Sequence, residues 1–258
     1  MNMKEYQPSA RLRPYIKAYR IMESEEHATN RVLPNNSIAI AFRLYGQISY
    51  INDSGQVALP SATISGLRKS VRLIHYQPKS AVLVVQFKET GMPAFFKHPL
   101  HELFEYSVSL DNFLPSSEIA RIEERLAEAS NYDDKIAVIE MFLLSKLSGS
   151  KTDELIKAAV EKIYASTGQI KIRTLANSLY ISQDALEKRF RKITGTSPKQ
   201  FAFITKLNAI IARNHGYNGS FIDLALDNGY FDQAHFNKDF KLFTGQAPVN
   251  FFKSALYW

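Results

Sequence analysis

Two stretches decide the reading of this chain: Ser182-Gln-Asp-Ala-Leu-Glu-Lys-Arg-Phe-Arg-Lys-Ile-Thr-Gly195 and Asp232-Gln-Ala-His-Phe-Asn-Lys-Asp-Phe-Lys-Leu-Phe-Thr-Gly245. Each landmark of the first returns fifty residues later: Phe190 as Phe240, Thr194-Gly195 as Thr244-Gly245, Pro198 as Pro248, Phe201 as Phe251. Two copies are too few for a solenoid, which needs at least three stacked units. The repeat predicts two sister subdomains, each a small helical unit.

In the first copy, residues 172–179 read as a short helix with Leu175, Ala176 and Leu179 inward, and Tyr180-Ile181 as a turn. Ser182 is then an N-cap, its hydroxyl taking an orphan backbone N–H of the next helix. That helix, 183–194, buries Leu186, Phe190 and Ile193 and stops at Gly195. Two helices joined by a few residues, the second basic and amphipathic, make a helix-turn-helix. In the second copy, Ser220 and Asp223 form a capping box, and Asp232 caps a helix buried by Phe236, Phe240 and Phe243. Its turn is 228–231; counted from Ala225 to Asp232 the connection is one residue longer than from Ala176 to Ser182, and Gly229 is expected to absorb the extra residue at positive φ. Between the copies, residues 198–214 carry Phe201, Ile204, Leu207, Ile210 and Ile211 on one stripe, a linker helix. If both readers enter one face of B-DNA, their separation is expected to be about 34 Å, one helical turn, and one chain could then read two successive major grooves without dimerising.

Charge follows the same division. Residues 1–150 hold 17 Lys+Arg against 16 Asp+Glu, whereas 151–258 hold 15 against 9, so nearly all of the net +7 lies in the half with the repeat. A basic half points to a polyanion, nucleic acid before anionic membrane. Cysteine is absent, which excludes disulfides, thiolate catalysis and Cys-based zinc sites. No apolar run approaches the roughly 18–20 residues of a membrane span, and the first residues lack a secretory h-region. A cytoplasmic protein is expected.

The N-terminal half, 1–148, reads as a different domain. Strands are expected over 37–45, 47–51, 63–67, 70–76 and 81–87, with a turn at 52–55 and a strand or helix near 15–22 followed by a loop. Short strands at this spacing suggest a small antiparallel sandwich or barrel. Phe95, Phe96, Leu100, Leu103 and Phe104 suggest a short helix beneath it, and 117–129 with 133–147 a helical hairpin. Ser148-Gly149-Ser150-Lys151 is the linker to a helix over 152–165 and the second domain, 152–258. The fold class is therefore α+β: a β sandwich or barrel with a helical hairpin, then an all-α domain of two helix-turn-helix units on a linker helix. The aromatics Phe42, Tyr45, Tyr50, Tyr76 and Phe87 are expected in the core. Arg43 and Arg72 would meet an anionic effector if they face inward, which the sequence leaves open.

Residues 152–253 resemble the DNA-binding domain of the AraC/XylS family of bacterial transcription regulators. The resemblance is carried by Asp223-Leu-Ala-Leu-Asp-Asn-Gly-Tyr-Phe-Asp-Gln-Ala-His-Phe-Asn-Lys-Asp-Phe-Lys241 with Thr244-Gly245 and Pro248, and by Leu186-Glu-Lys-Arg-Phe-Arg-Lys-Ile-Thr-Gly195 with Ser197-Pro198. It implies that Asp184, Glu187 and Lys188 in the first reader, and Gln233, Ala234, His235, Asn237 and Lys238 in the second, face the bases. Ser182, Arg191, Lys192, Lys199, Lys206 and Lys241 are the candidate phosphate contacts, which position without specifying. Lys188 stands where the family usually has arginine, losing the bidentate fork that suits guanine. Of the two readers, the first carries the larger basic excess, so it is expected to supply attachment and the second uncharged readout.

The resemblance implies double-stranded DNA as partner, RNA polymerase as a further candidate, and a monomer or homodimer. The N-terminal half resembles the β-rich sensing domains attached to such readers, which implies a small-molecule effector or a dimerisation role. It lacks the cupin metal pattern, and His98-x-x-His101 has Pro99 between its histidines and no third ligand, so no metal and no cofactor are expected. The alternatives are a cupin-like enzyme or a protein-interaction module fused to a DNA reader. Against an enzyme stand the missing Gly-rich phosphate loop, G-x-S-x-G motif and His/carboxylate constellation.

Overall fold

The computed structural model describes residues 1–52, 55–148, 152–214, 217 and 219–253. Residues 149–151 of the expected linker, and 53–54 of the expected turn, lie outside the described residues.

The N-terminal half is two antiparallel sheets. The larger has six strands in the order β1 (Asn2–Tyr6), β2 (Ile16–Ser24), β9 (Ser80–Phe87), β4 (Ala39–Tyr45), β7 (Ala62–Ser65), β10 (Ser107–Ser109). The smaller has four: β3 (Ala28–Val32), β8 (Arg72–Tyr76), β5 (Ile48–Asn52), β6 (Gly55–Ala58). Both sheets keep free edges, so of the two architectures expected the sandwich is the one formed. Four strands, β1, β3, β6 and β10, were not expected, and the loop predicted after residue 22 is in part β3. The short helix predicted beneath the sheet is two 3-10 turns, Met92–Ala94 and Leu100–Leu103, with Pro99 between them preventing one continuous helix.

Side chains alternate faces along each strand. On β9, Leu83, Val85 and Phe87 join the main core while Val82 and Val84 turn toward the smaller sheet. The main-core face of the large sheet packs against the hairpin of α1 (Ser116–Glu128) and α2 (Tyr132–Lys146), where Phe142 meets Phe42 edge to face at 6.4 Å. Asn131 caps α2 by accepting from the Asp134 N–H at 2.9 Å. Phe42, Tyr76 and Phe87 are buried as expected. Tyr50 is half-buried, and Tyr45 is exposed, its hydroxyl donating to Glu23 at 2.8 Å.

The C-terminal half is α3 (Glu154–Ala165), α4 (Ile172–Ser178), α5 (Gln183–Thr194), α6 (Pro198–Arg213), α7 (Phe221–Asp227), α8 (Gln233–Thr244) and α9 (Pro248–Lys253). One hydrophobic core runs from the large sheet through α1 and α2 into α3, α4, α5 and the start of α6, and it includes Phe42, Phe142, Ile163, Phe190 and Phe201. A separate core around Phe236, Phe240, Phe243 and Phe251 holds the second repeat, with Leu33 of the N-terminal half packed against it. The linker helix α6 contributes to both: Phe201 to the first, Ile204, Leu207 and Ile210 to the second.

Candidate nucleic-acid interface

The two copies are built by the same local devices. Ser182 Oγ accepts from the Ala185 N–H at 3.2 Å, and Asp232 Oδ1 from the His235 N–H at 2.7 Å. Ser220 accepts from the Asp223 N–H at 3.3 Å, the first arm of the expected capping box. Gly195 and Gly245 end the reading helices at φ 84° and 77°, the left-handed C-cap that glycine adopts without a Cβ penalty. The threonine before each glycine bonds back to the helix, Thr194 Oγ1 to the Phe190 carbonyl at 3.0 Å and Thr244 Oγ1 to the Phe240 carbonyl at 2.8 Å. Each also accepts from the N–H two residues on, Thr196 at 3.4 Å and Gln246 at 3.1 Å. The repeated Thr-Gly is thus a helix stop.

The turns correct one expectation. Gly229 has φ +70°, but Tyr180 has φ +54° at the matching place. In both copies the residue after it closes the turn: Ile181 N–H to the Ala176 carbonyl at 3.2 Å, Tyr230 N–H to the Ala225 carbonyl at 3.0 Å. Gly229 therefore replaces Tyr180 one for one, and the inserted residue is Phe231, 89 % exposed. Tyr180, 99 % exposed, holds a conformation that costs a non-glycine residue about 1–2 kcal/mol.

On α5, Asp184 and Lys188 are exposed. Glu187 is held by Arg191, whose Nη2 and Nε lie 2.9 and 3.1 Å from Glu187 Oε1. Arg189 is paired with Asp153 at 2.6 Å. Of the four basic side chains on α5, two are therefore ion-paired before DNA arrives, and among the described residues Lys188 and Lys192 are not. On α8, Ala234, His235, Lys238 and Lys241 are exposed, with Gln233 and Asn237 half-buried beside them. His235 Nε2 lies 3.5 Å from Asp239 Oδ2, one helical turn on. Lys199 is exposed at the start of α6.

Lys206 is not placed as a phosphate contact. Its ammonium sits 3.7 Å from the centre of the buried Tyr230 ring, and burial lowers its pKa against the pull of Asp239. Three residues absent from the sequence reading of this surface come instead from the N-terminal half. Lys97, His98 and His101, around the 3-10 turn Leu100–Leu103, line one cleft with Lys188, Arg191 and Lys192 of α5. Leu100 is what brings them there: it packs so closely on the C-cap of α5 that a Cβ at Gly195 would lie 2.9 Å from the Leu100 carbonyl oxygen.

The N-terminal half is also tied to the second reader, to the linker helix and to α3. Arg31 Nη1 donates to the Thr244 carbonyl at 2.7 Å, Asn208 Nδ2 to the Pro34 carbonyl at 3.0 Å, and Asn36 Nδ2 to Thr205 Oγ1 at 2.8 Å. Tyr164 of α3 donates to Glu89 at 2.6 Å.

Comparison with known proteins adds the following. Residues 175–254 match a family described as a helix-turn-helix domain, and residues 4–109 a family described as a domain of unknown function (DUF6597). The Msm operon regulatory protein of Streptococcus mutans is 26 % identical over 155 residues, which is 59 % of this chain and 55 % of that protein. This chain thus matches little more than half the length of that curated relative. Among solved structures, ToxT from Vibrio cholerae is 12 % identical with a TM-score of 0.44, over 91 % of this chain and 97 % of that one. The AraC-like transcriptional activator CuxR is 10 % identical with a TM-score of 0.26, over 81 % and 85 %.

Proposed function

We infer that this chain, whose residues 175–254 are an AraC-type helix-turn-helix domain, is a sequence-specific transcription regulator that reads two successive major grooves with α5 and α8. The observation that carries this reading is the pair of capped, glycine-terminated helices on one linker helix, each with an exposed polar face. We assign base contacts to Asp184, Glu187 and Lys188, and to Gln233, Ala234, His235, Asn237 and Lys238. Phosphate contacts go to Ser182, Lys192, Lys199 and Lys241, and to Arg191 once its pairing with Glu187 opens.

Residues 1–148 form the regulatory domain in this reading and 152–258 the DNA-binding domain. The ties from Arg31, Asn36 and Glu89 support regulation, because they give the first domain a hold on the second. We assign no catalysis to either domain. A protein that reads chromosomal DNA in a bacterium works in the cytoplasm, and a regulator at a promoter meets RNA polymerase there. One chain already carries two readers, so a monomer suffices for a two-groove site and a homodimer doubles it.

The test is in vitro selection of duplex DNA by the full chain. The continuous core argues against truncation, since removing residues 1–148 would cut through the cluster that Phe190 and Phe201 belong to. Enriched sites with two short conserved blocks about one helical turn apart are expected. Enrichment of a single block, or none, refutes the two-groove reading.

A further inference from the structure

Between the two sheets lies a cavity of about 250 Å³. Much of its wall is apolar, from Ile48, Leu59, Ile74, Val82 and Val84. Arg68 and Arg72 line it as well; Arg43, the other arginine left open by the sequence, does not. The Arg72 guanidinium is held in place, donating to Ser107 Oγ and to the Glu105 carbonyl, and lying 5.7 Å from the Tyr50 ring centre. Among the described residues Arg68 has no such anchor: its Nε is shut from solvent without a hydrogen-bond partner, as is Gln86 Oε1 in the same cavity. Among the described residues no carboxylate forms an ion pair with either arginine. Burial first, and then the charge of Arg72, push Arg68 down to about 9 against the smaller pull of Glu105, so at neutral pH it remains charged in a poorly solvating place. Buried polar groups are normally bonded, and an unpaired buried charge is costly.

We propose that this cavity is the binding site for a small carboxylate with an apolar body, held by the guanidinium groups of Arg68 and Arg72, and that residues 30–37 carry its occupancy to the DNA-binding half. A guanidinium fork matches a carboxylate in two parallel bonds, and the surrounding walls suit a hydrocarbon body. A cavity of 150 Å³ accepts benzene, so this one takes roughly ten heavy atoms.

The route outward lies in the chain itself. Asn30, Val32, Asn35 and Ser37 line the cavity. Their neighbours Arg31, Pro34 and Asn36 make the hydrogen bonds to Thr244, Asn208 and Thr205, and Leu33 packs on the second core. A ligand that shifts one face of this segment shifts the other, because the two sets of contacts share one backbone.

The coupling rests on the reading of the chain as a DNA-binding regulator; the binding does not. The full chain is titrated calorimetrically with benzoate, hexanoate and octanoate and with the three matching amides. At least one carboxylate is expected to bind, its amide at least about tenfold more weakly, and Arg68→Gln to weaken it by about 10- to 100-fold. If that variant misfolds, Arg68→Lys, which keeps the charge and loses the fork, is read the same way. No binding below about 10 mM, or equal binding of acid and amide, overturns the site. The best-binding carboxylate is then added to a DNA titration. A change in DNA affinity of about fivefold or more is expected, smaller in Asn36→Ala, which still binds the carboxylate. Carboxylate binding with unmoved DNA affinity overturns the coupling, whereas a chain that binds carboxylate but no DNA overturns the regulator reading and leaves the site standing.

Discussion

Lys206 and Lys192 look alike in sequence, two lysines on helices beside a DNA surface, and the structure separates them. Lys192 is exposed on α5, while the Lys206 ammonium lies 3.7 Å from the Tyr230 ring centre. Each phosphate contact contributes about 0.9 to the slope of log affinity against log salt. Lys192→Ala should therefore lower the slope by about 0.9, a factor of about 3.5 in affinity between 50 and 200 mM salt. Lys206→Met should leave the slope unchanged, since the methionine stem still packs on Tyr230 and no phosphate contact is lost. Its cost falls on folding: a partly desolvated cation–π contact is worth about 0.5–2 kcal/mol, offset in part by no longer burying the ammonium. A net loss of about 0.5–1 kcal/mol lowers the melting midpoint by about 1–4 °C. Fluorescence anisotropy on a selected duplex from 50 to 300 mM salt measures the slopes, and calorimetric melts measure the stability. Lys206→Met that lowers the slope by about 0.9 and leaves the midpoint unmoved would refute the reasoning.

Three further outcomes are expected. Gly229→Ala and Gly245→Ala both force a Cβ into left-handed backbone, costing about 1–2 kcal/mol. At 229 the Cβ meets nothing within 4 Å, whereas at 245 it lies 2.9 Å from Arg31 Nη1. Gly245→Ala should thus be the more destabilising in urea by about 1 kcal/mol, through the lost Arg31 bond; equal costs would show that bond contributes nothing. Lys238→Ala should relax preference at one position of the selected site by about 1–3 kcal/mol, and a uniform loss across all sequences would make it a phosphate contact instead. Burial raises the pKa of the Tyr76 phenol. Above about pH 10 the unfolded chain ionises this tyrosine and the folded chain does not, so the folded state holds more protons and stability falls with rising pH. Tyr76→Phe should reduce that fall by about 1 kcal/mol between pH 10 and 11, measured by denaturation; an unchanged slope would mean that the folded state ionises it too.

The strands missed from sequence share one property. β1, β3, β6 and β10 are the four edges of the two sheets. An edge strand is short and often polar, with weaker burial demands on its two faces, so alternation is faint. β1 reads Asn-Met-Lys-Glu-Tyr and is exposed for four of its five residues. The interior strands β4 and β9 are packed on both faces and were legible.

The repeat, its caps and its stops were determined by sequence alone, because they depend on contacts within a few residues: Ser182 to Ala185, Asp232 to His235, Thr244 to Phe240. Which charges remain free was decided by tertiary structure. Arg189 meets Asp153 across 36 residues, and Arg31 meets Thr244 across 213. Even Glu187 and Arg191, whose i,i+4 spacing allows a pair, had open alternatives in sequence, and only the folded surface shows which was taken. The cavity belongs to the same class: Arg68 and Arg72 are four residues apart, but what makes them a site is the opposing wall from β4 and β9 and, among the described residues, the lack of a carboxylate ion-paired with either. Local hydrogen bonds are written into short words of sequence, whereas desolvation and pairing of charge depend on surfaces that only folding brings together.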